Sequence, residues 1–180
     1  MVGIVNLGLA HRRRSAMQER SAIPVSGVDE EAGTRRTRLV VDLNRDLAGL
    51  LDLAAAYKQA HWNVVGPSFA ALHALFDELA AETNVHADHV AERAVTLGGI
   101  AEGTLQAVVE RTVLPPFPSK SRRERDVLDA LIARAAKMAD ELRAAADDSA
   151  DDLATQDIHL GALRTIETQR WMLEAHILEG

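Results

Sequence analysis

Apolar residues recur every three or four positions through four long stretches of this chain, and no stretch alternates them every second position. In the first stretch Leu43, Leu47, Leu50, Ala54, Tyr57 and His61 fall on one line. That spacing is the buried stripe of an α-helix and predicts one over 38–65, ended by Gly66-Pro67. Ser68 stands where an N-cap is wanted for a second helix. Leu72, Phe76, Leu79, Thr83, Val90, Ala94 and Leu97 carry its stripe to the Gly98-Gly99 stop. A third stripe runs through Leu128, Leu131, Ala135, Met138, Leu142 and Ala145, with 122–126 as its polar first turn. A fourth runs through Ile158, Ala162, Ile166, Gln169, Leu173 and Ile177. The short apolar run 39–43 sits inside the first helical pattern, so no strand competes.

Four such helices bury their stripes by packing as a bundle. The second and third are separated by about 20 residues, and Leu114-Pro115-Pro116-Phe117-Pro118 excludes regular structure from part of that span. A two-turn helix fits at 104–111. A connection this long crosses the bundle instead of turning tightly, so the expected class is all-α, a ferritin-like four-helix bundle with a short extra helix in the crossover.

Residues 1–37 mix Gly, Ser, Pro and charge without period and read as a flexible basic tail ahead of a bundle domain at 38–180. Residues 1–38 carry seven Arg and four acids, net +3; of the total of 20 basic and 27 acidic groups, 13 and 23 remain for the rest, net −10. An acidic body attracts cations and repels polyanions, so a nucleic-acid contact would run through the tail. No apolar run approaches the roughly 20 residues needed to span a bilayer. Arg12, Arg13 and Arg14 follow the mildly apolar start, the reverse of signal-peptide order. With no cysteine, a metal must be held by His, Asp and Glu, and a cytoplasmic location is expected.

The second helix carries the candidate chemistry. At about 100° per residue, with His73 as zero, Asp77, Asp88 and Glu92 lie at about 40°, 60° and 100°, while the apolar stripe lies between about −60° and −120°. The four share a polar face turned away from the core. It reads either as a solvated charged stripe or as a metal-binding face. His73 and Asp77 are one turn apart, as are Asp88 and Glu92, but the 11 residues from Asp77 to Asp88 span about 16 Å. One chain therefore offers two half-sites. Two such helices packed antiparallel about a two-fold axis would bring opposite halves together twice. Imidazole and carboxylate suit Fe(II), Mn(II) or Zn(II), and open positions favour iron. His61 extends the first stripe and reads either as a hydrogen-bonded core residue or as a further ligand. His86 and His89 fall off the face and read as surface residues, and His159 and His176 carry no motif.

The string His61-Trp62-Asn63-Val64-Val65-Gly66, with Phe69, Leu72-His73, Leu75-Phe76-Asp77-Glu78, Asp88, Ala91-Glu92-Arg93 and Leu97-Gly98-Gly99, resembles the signature of the Dps miniferritins, the DNA-binding proteins from starved cells. Leu114-Pro115-Pro116-Phe117-Pro118 and Trp171-Met172-Leu173 resemble two further landmarks, and the likeness covers about 38–178. It implies a hollow dodecamer built from two-fold dimers, oxidising Fe(II) with hydrogen peroxide or oxygen and storing ferric mineral, so that DNA is protected from oxidative damage. By position, His61, His73 and Asp77 resemble the iron ligands of one subunit, and Asp88 and Glu92 those of its neighbour. Trp62 resembles the near-site tryptophan, as packing or as an electron donor. Asp152 and Asp157 resemble acids lining the three-fold pores where Fe(II) enters, although the connecting loop departs from the usual Gly-Asp form. Relatives that condense DNA use basic tails; here Arg12, Arg13, Arg14 and Arg20 are offset by Asp29-Glu30-Glu31, and the chain ends without a C-terminal basic cluster. Non-specific DNA binding through the tail, as a structural nucleoid protein, is the alternative reading.

Overall fold

The computed structural model describes residues 28–177. Residues 34–180 make up one compact unit, which holds the bundle. The helices are α1 (Val28–Asn63), α2 (Phe69–Thr96), α3 (Leu105–Arg111), α4 (Glu124–Asp148) and α5 (Leu153–Ala175). There is no strand among the described residues. Helix α1 begins ten residues before the expected 38: no proline interrupts 28–37, and Glu30, Glu31, Ala32, Arg35 and Arg36 are good helix formers that carry the helix through Gly33 beyond its apolar stripe.

Side-chain links give the directions. His61 meets His73, and Lys58 meets Asp77, so α1 and α2 are antiparallel. Thr83 pairs with Gln169 and Arg93 with Thr155, which makes α5 antiparallel to α2. Arg45 pairs with Glu141 and Asp52 with Arg134, which makes α4 antiparallel to α1. The four long helices thus form a bundle in which α2 and α4 run the same way, as the crossover requires. Leu43, Leu50, Leu53, Leu72, Phe76, Leu131, Leu142, Ile166 and Leu173 are fully buried where the four stripes meet.

The crossover is tied down by two side chains. Asn44 Nδ2 donates to Ile100 O at 2.9 Å while its Oδ1 accepts from the Glu102 amide at 2.8 Å, replacing the backbone partners that the loop after Gly98 lacks. Gly98 itself sits at φ 87°, the left-handed stop that ends α2 without a Cβ penalty. Further on, Arg134, 2% exposed, donates to Pro115 O and pairs with Asp52 Oδ1 at 2.6 Å, which seats the proline-rich stretch.

The α1–α2 turn is held from outside. Val65 N donates to Arg122 O at 2.8 Å, and Arg122 Nε donates to Asn63 O at 3.2 Å. Ser68 occupies the N-cap position of α2 but its hydroxyl makes no cap bond; its amide instead donates to Glu124 Oε2 at 3.1 Å. The Glu124 side chain lies so close over Gly66 that a Cβ there would collide with it. The first turn of α4 therefore positions the hairpin that carries the candidate ligands.

Candidate metal centre

His61 lies in the last turn of α1, whose final carbonyls have no partners within the helix. One of these carbonyls, that of His61, accepts from His73 Nδ1 at 2.9 Å, and His73 O accepts from His61 Nδ1 at 2.6 Å. The exchange stacks the two rings, centroids 3.8 Å apart and 20° from parallel. A carbonyl can only accept, so each Nδ1 carries a hydrogen, and in the neutral ring each Nε2 keeps its lone pair. That is the tautomer a metal ligand needs, fixed by backbone before any metal arrives. Phe69 packs against the His73 ring at 5.2 Å.

Asp77 follows one turn after His73 and is exposed. Its Oδ1 is held by Lys58 Nζ, from one turn before Trp62 on α1. That hydrogen bond, helped by the charges of Lys58, His61 and His73, holds the Asp77 carboxyl below the ordinary carboxylate range. Lys58 was not singled out in the sequence; its position three residues before His61, on the same side of α1, was the available signal. The same ammonium lies 5.9 Å from the Trp62 ring centre. Trp62 is 67% exposed, so within this chain its indole packs on little beyond Lys58.

Asp88 and Glu92 stand further along α2, both exposed. Among the described residues neither carboxylate has a hydrogen-bond or ion-pair partner. The helix places them with His73 and Asp77 on one side, but no three His, Asp or Glu side chains among the described residues converge as a complete metal nest. The five residues are thus divided into His61, His73 and Asp77 at one end of α2 and Asp88 and Glu92 toward the other.

Asp152 is the N-cap of α5: its Oδ1 accepts from Thr155 N at 3.0 Å, and both its oxygens accept from Arg93 Nη2, at 2.8 and 3.0 Å. Partial burial opposes its ionisation, but the Thr155 amide and hydroxyl and the Arg93 guanidinium outweigh it and hold the carboxyl below its usual range. Asp152 is therefore engaged inside the subunit, whereas Asp157, one turn on, is exposed. Arg12, Arg13, Arg14 and Arg20 lie outside the described residues.

Two histidines differ from the surface or motif-free reading. His86 is half-buried, with Nε2 2.8 Å from Thr165 Oγ1, and burial, with His89 nearby, pulls its pKa down. His159 is 1% exposed, opposite Asp46. The helical wheel placed His86 off the ligand face and His159 carried no motif, but burial at both depends on what α5 brings against α2 and α1.

Comparison with known proteins agrees with the fold. The ferritin-like domain family matches residues 41–179. A DNA protection during starvation protein of Agrobacterium fabrum is 46% identical over 139 residues, covering 76% of this chain and 86% of that protein. One of Brevibacillus brevis is 33% identical over 141 residues, covering 77% and 94%. Among solved structures, DpsA14 from Streptomyces coelicolor superposes with a TM-score of 0.75 at 35% identity, covering 79% of this chain and 85% of that one. With the ferritin-like domain spanning nearly the whole bundle and relatives this similar over three quarters of its length, the chain belongs to the Dps family.

Proposed function

We propose that this chain is the subunit of a ferroxidase and iron-storage oligomer, a dodecamer of two-fold dimers, that oxidises Fe(II) with hydrogen peroxide or oxygen and keeps the ferric product inside. Iron storage and DNA protection in general come with the family; the intersubunit chemistry is our reading. The observation that carries it is the pair of imidazoles, His61 at the end of α1 and His73 on α2, locked by backbone carbonyls with Nε2 free, together with two carboxylates further along α2 that have no partner among the described residues. A second copy of α2, antiparallel across a two-fold axis, would supply Asp88 and Glu92 to His61, His73 and Asp77.

Fe(II) is substrate here. The two Nε2 atoms offer borderline donors that bind Fe(II), and the three carboxylates are hard donors that favour the Fe(III) produced. Two Fe(II) ions give up one electron each to cleave the O–O bond of one peroxide, so no hydroxyl radical is released. Lys58 competes with iron for Oδ1 of Asp77 while Oδ2 stays open, and an ammonium displaced from Oδ1 stays beside Trp62. Asp157 is the exposed candidate for the pore through which Fe(II) arrives, with Asp152 fixing the helix end beneath it. The absence of any described helix long and apolar enough to cross a membrane fits a cytoplasmic protein.

The test is anaerobic Fe(II) loading followed by one addition of peroxide, with Fe(III) followed optically. Wild type should oxidise fast and Asp88→Ala with Glu92→Ala should not, with assembly size unchanged; equal slow rates would remove the reading. The alternative, a nucleoid protein acting through its tail, is favoured by the net +3 of residues 1–38. Deleting 1–27 spares α1, and unchanged DNA mobility of wild type at low salt would exclude it.

A further inference from the structure

Asp46 lies 15 residues before His61 on α1 (61 − 46), about 22 Å along the axis, and it takes no part in the chemistry above. It faces His159 of α5, whose other ring nitrogen meets Ser149, the residue that follows the last turn of α4, and all three are 1% exposed. Ser149 Oγ donates its single hydrogen to Ala145 O at 2.7 Å, with Ala146 O at 3.4 Å. Toward His159 Nδ1, at 3.1 Å, it can then only accept, so Nδ1 carries the hydrogen. The opposite nitrogen, Nε2, faces Asp46 Oδ2 at 3.3 Å.

With Nδ1 protonated, a neutral imidazole would aim a bare lone pair at a carboxylate. The separation is that of an ion pair, yet among the described residues neither Nε2 nor either Asp46 oxygen completes a hydrogen bond. Two acceptors face to face at 1% exposure are costly. One added proton, on Nε2 or on the carboxyl, turns the contact attractive in either place. The geometry points to a proton held between Asp46 and His159 that latches the α4–α5 corner to α1, so that the corner loosens as pH rises.

The surrounding charges do not replace that proton. Burial pushes the Asp46 carboxyl up, against the lowering pull of His159 and Arg45, and Asp42 adds to the push. Arg45 Nε is buried without a bond to Asp46, and its nearest carboxylate is Glu141 of α4 at 3.8 Å. At the corner Asp151 is taken up by Arg35 of α1, and Asp152 by Arg93 of α2. Asp147, Asp148 and Asp157 are exposed.

An unfolded chain keeps the corresponding proton only below about pH 6.5, the ordinary histidine value. Above that pH, folding takes up a proton. The latch is then complete below about 6.5 and is lost as pH rises, by up to about tenfold in the closing equilibrium per pH unit.

Hydrogen exchange on the full-length assembled protein between pH 6 and 9 tests this. After division by the intrinsic rate, protection of 146–160 should fall by up to about tenfold per pH unit while 79–90 of α2 stays flat. Asp46→Asn supplies an amide donor to Nε2 without an added proton and should leave the corner closed at all these pH values. His159→Gln supplies one to the Asp46 carboxylate and should do the same, which covers the case of one variant failing to assemble. Wild-type protection at the corner that stays flat with pH, or a variant that keeps the wild-type slope, would overturn the latch.

Discussion

The two ends of α2 offer candidate ligands in opposite conditions. At the α1 junction His61 and His73 are stacked and bonded to each other's carbonyls, and Asp77 is engaged by Lys58. Toward the far end Asp88 and Glu92 are exposed and unpartnered among the described residues. The first end can be organised within one chain because the hairpin brings a second helix terminus against it. The second end has no such neighbour among the described residues, so its carboxylates are solvated in the single chain. In the reading proposed above, the first is a half-site already built and the second is the half-site offered to a neighbouring subunit.

The largest expected effect comes from breaking the built end. His61→Ala with His73→Ala removes both nitrogen donors and should weaken Fe(II) binding at least about 100-fold, read by anaerobic titration. Lys58→Met sharpens the comparison by freeing Asp77 to resemble Asp88. The Asp77 pKa should rise toward its ordinary value, measurable by NMR titration, and Fe(II) should bind severalfold more tightly at neutral pH because no ammonium competes. Away from the ligands, Asp152→Ala removes the α5 cap and should cost about 1 kcal/mol in denaturant unfolding. Because the Asp152 carboxyl is held low in the fold, its contribution is present above about pH 4 and is lost as pH falls, so the gap to wild type should close in acid. Trp62→Phe should change stability by less than about 0.5 kcal/mol in dissociated subunits, since the indole is 67% exposed there.

Much of the bundle was legible because burial imposes a period on the sequence: the stripes on α2, α4 and α5 match their buried residues nearly position by position. The start of α1 was not, since 28–37 carry no stripe and only helix propensity extends them. Ser68 marked the start of α2 correctly, yet its hydroxyl makes no cap bond, and its own amide donates to Glu124, 56 residues on. Of the candidate site, residue types and their shared face on α2 came from spacing, but Asp152 as a committed cap with Arg93 did not, because a lone acid near a helix end has the same appearance in sequence whatever it pairs with.

The chain's own order of residues determined the helices, the crossover between α2 and α4, and the division of His73, Asp77, Asp88 and Glu92 into two pairs about 16 Å apart, because periodicity and rise per residue are local properties. Only the tertiary structure decided which histidine nitrogen is free, that Lys58 holds Asp77, and that Asp46 faces His159. Those outcomes depend on hydrogen bonds and charges between positions 12, 19 and 113 residues apart (159 − 46 for the last), and such partners are chosen by how helices pack, which no single helix's period encodes.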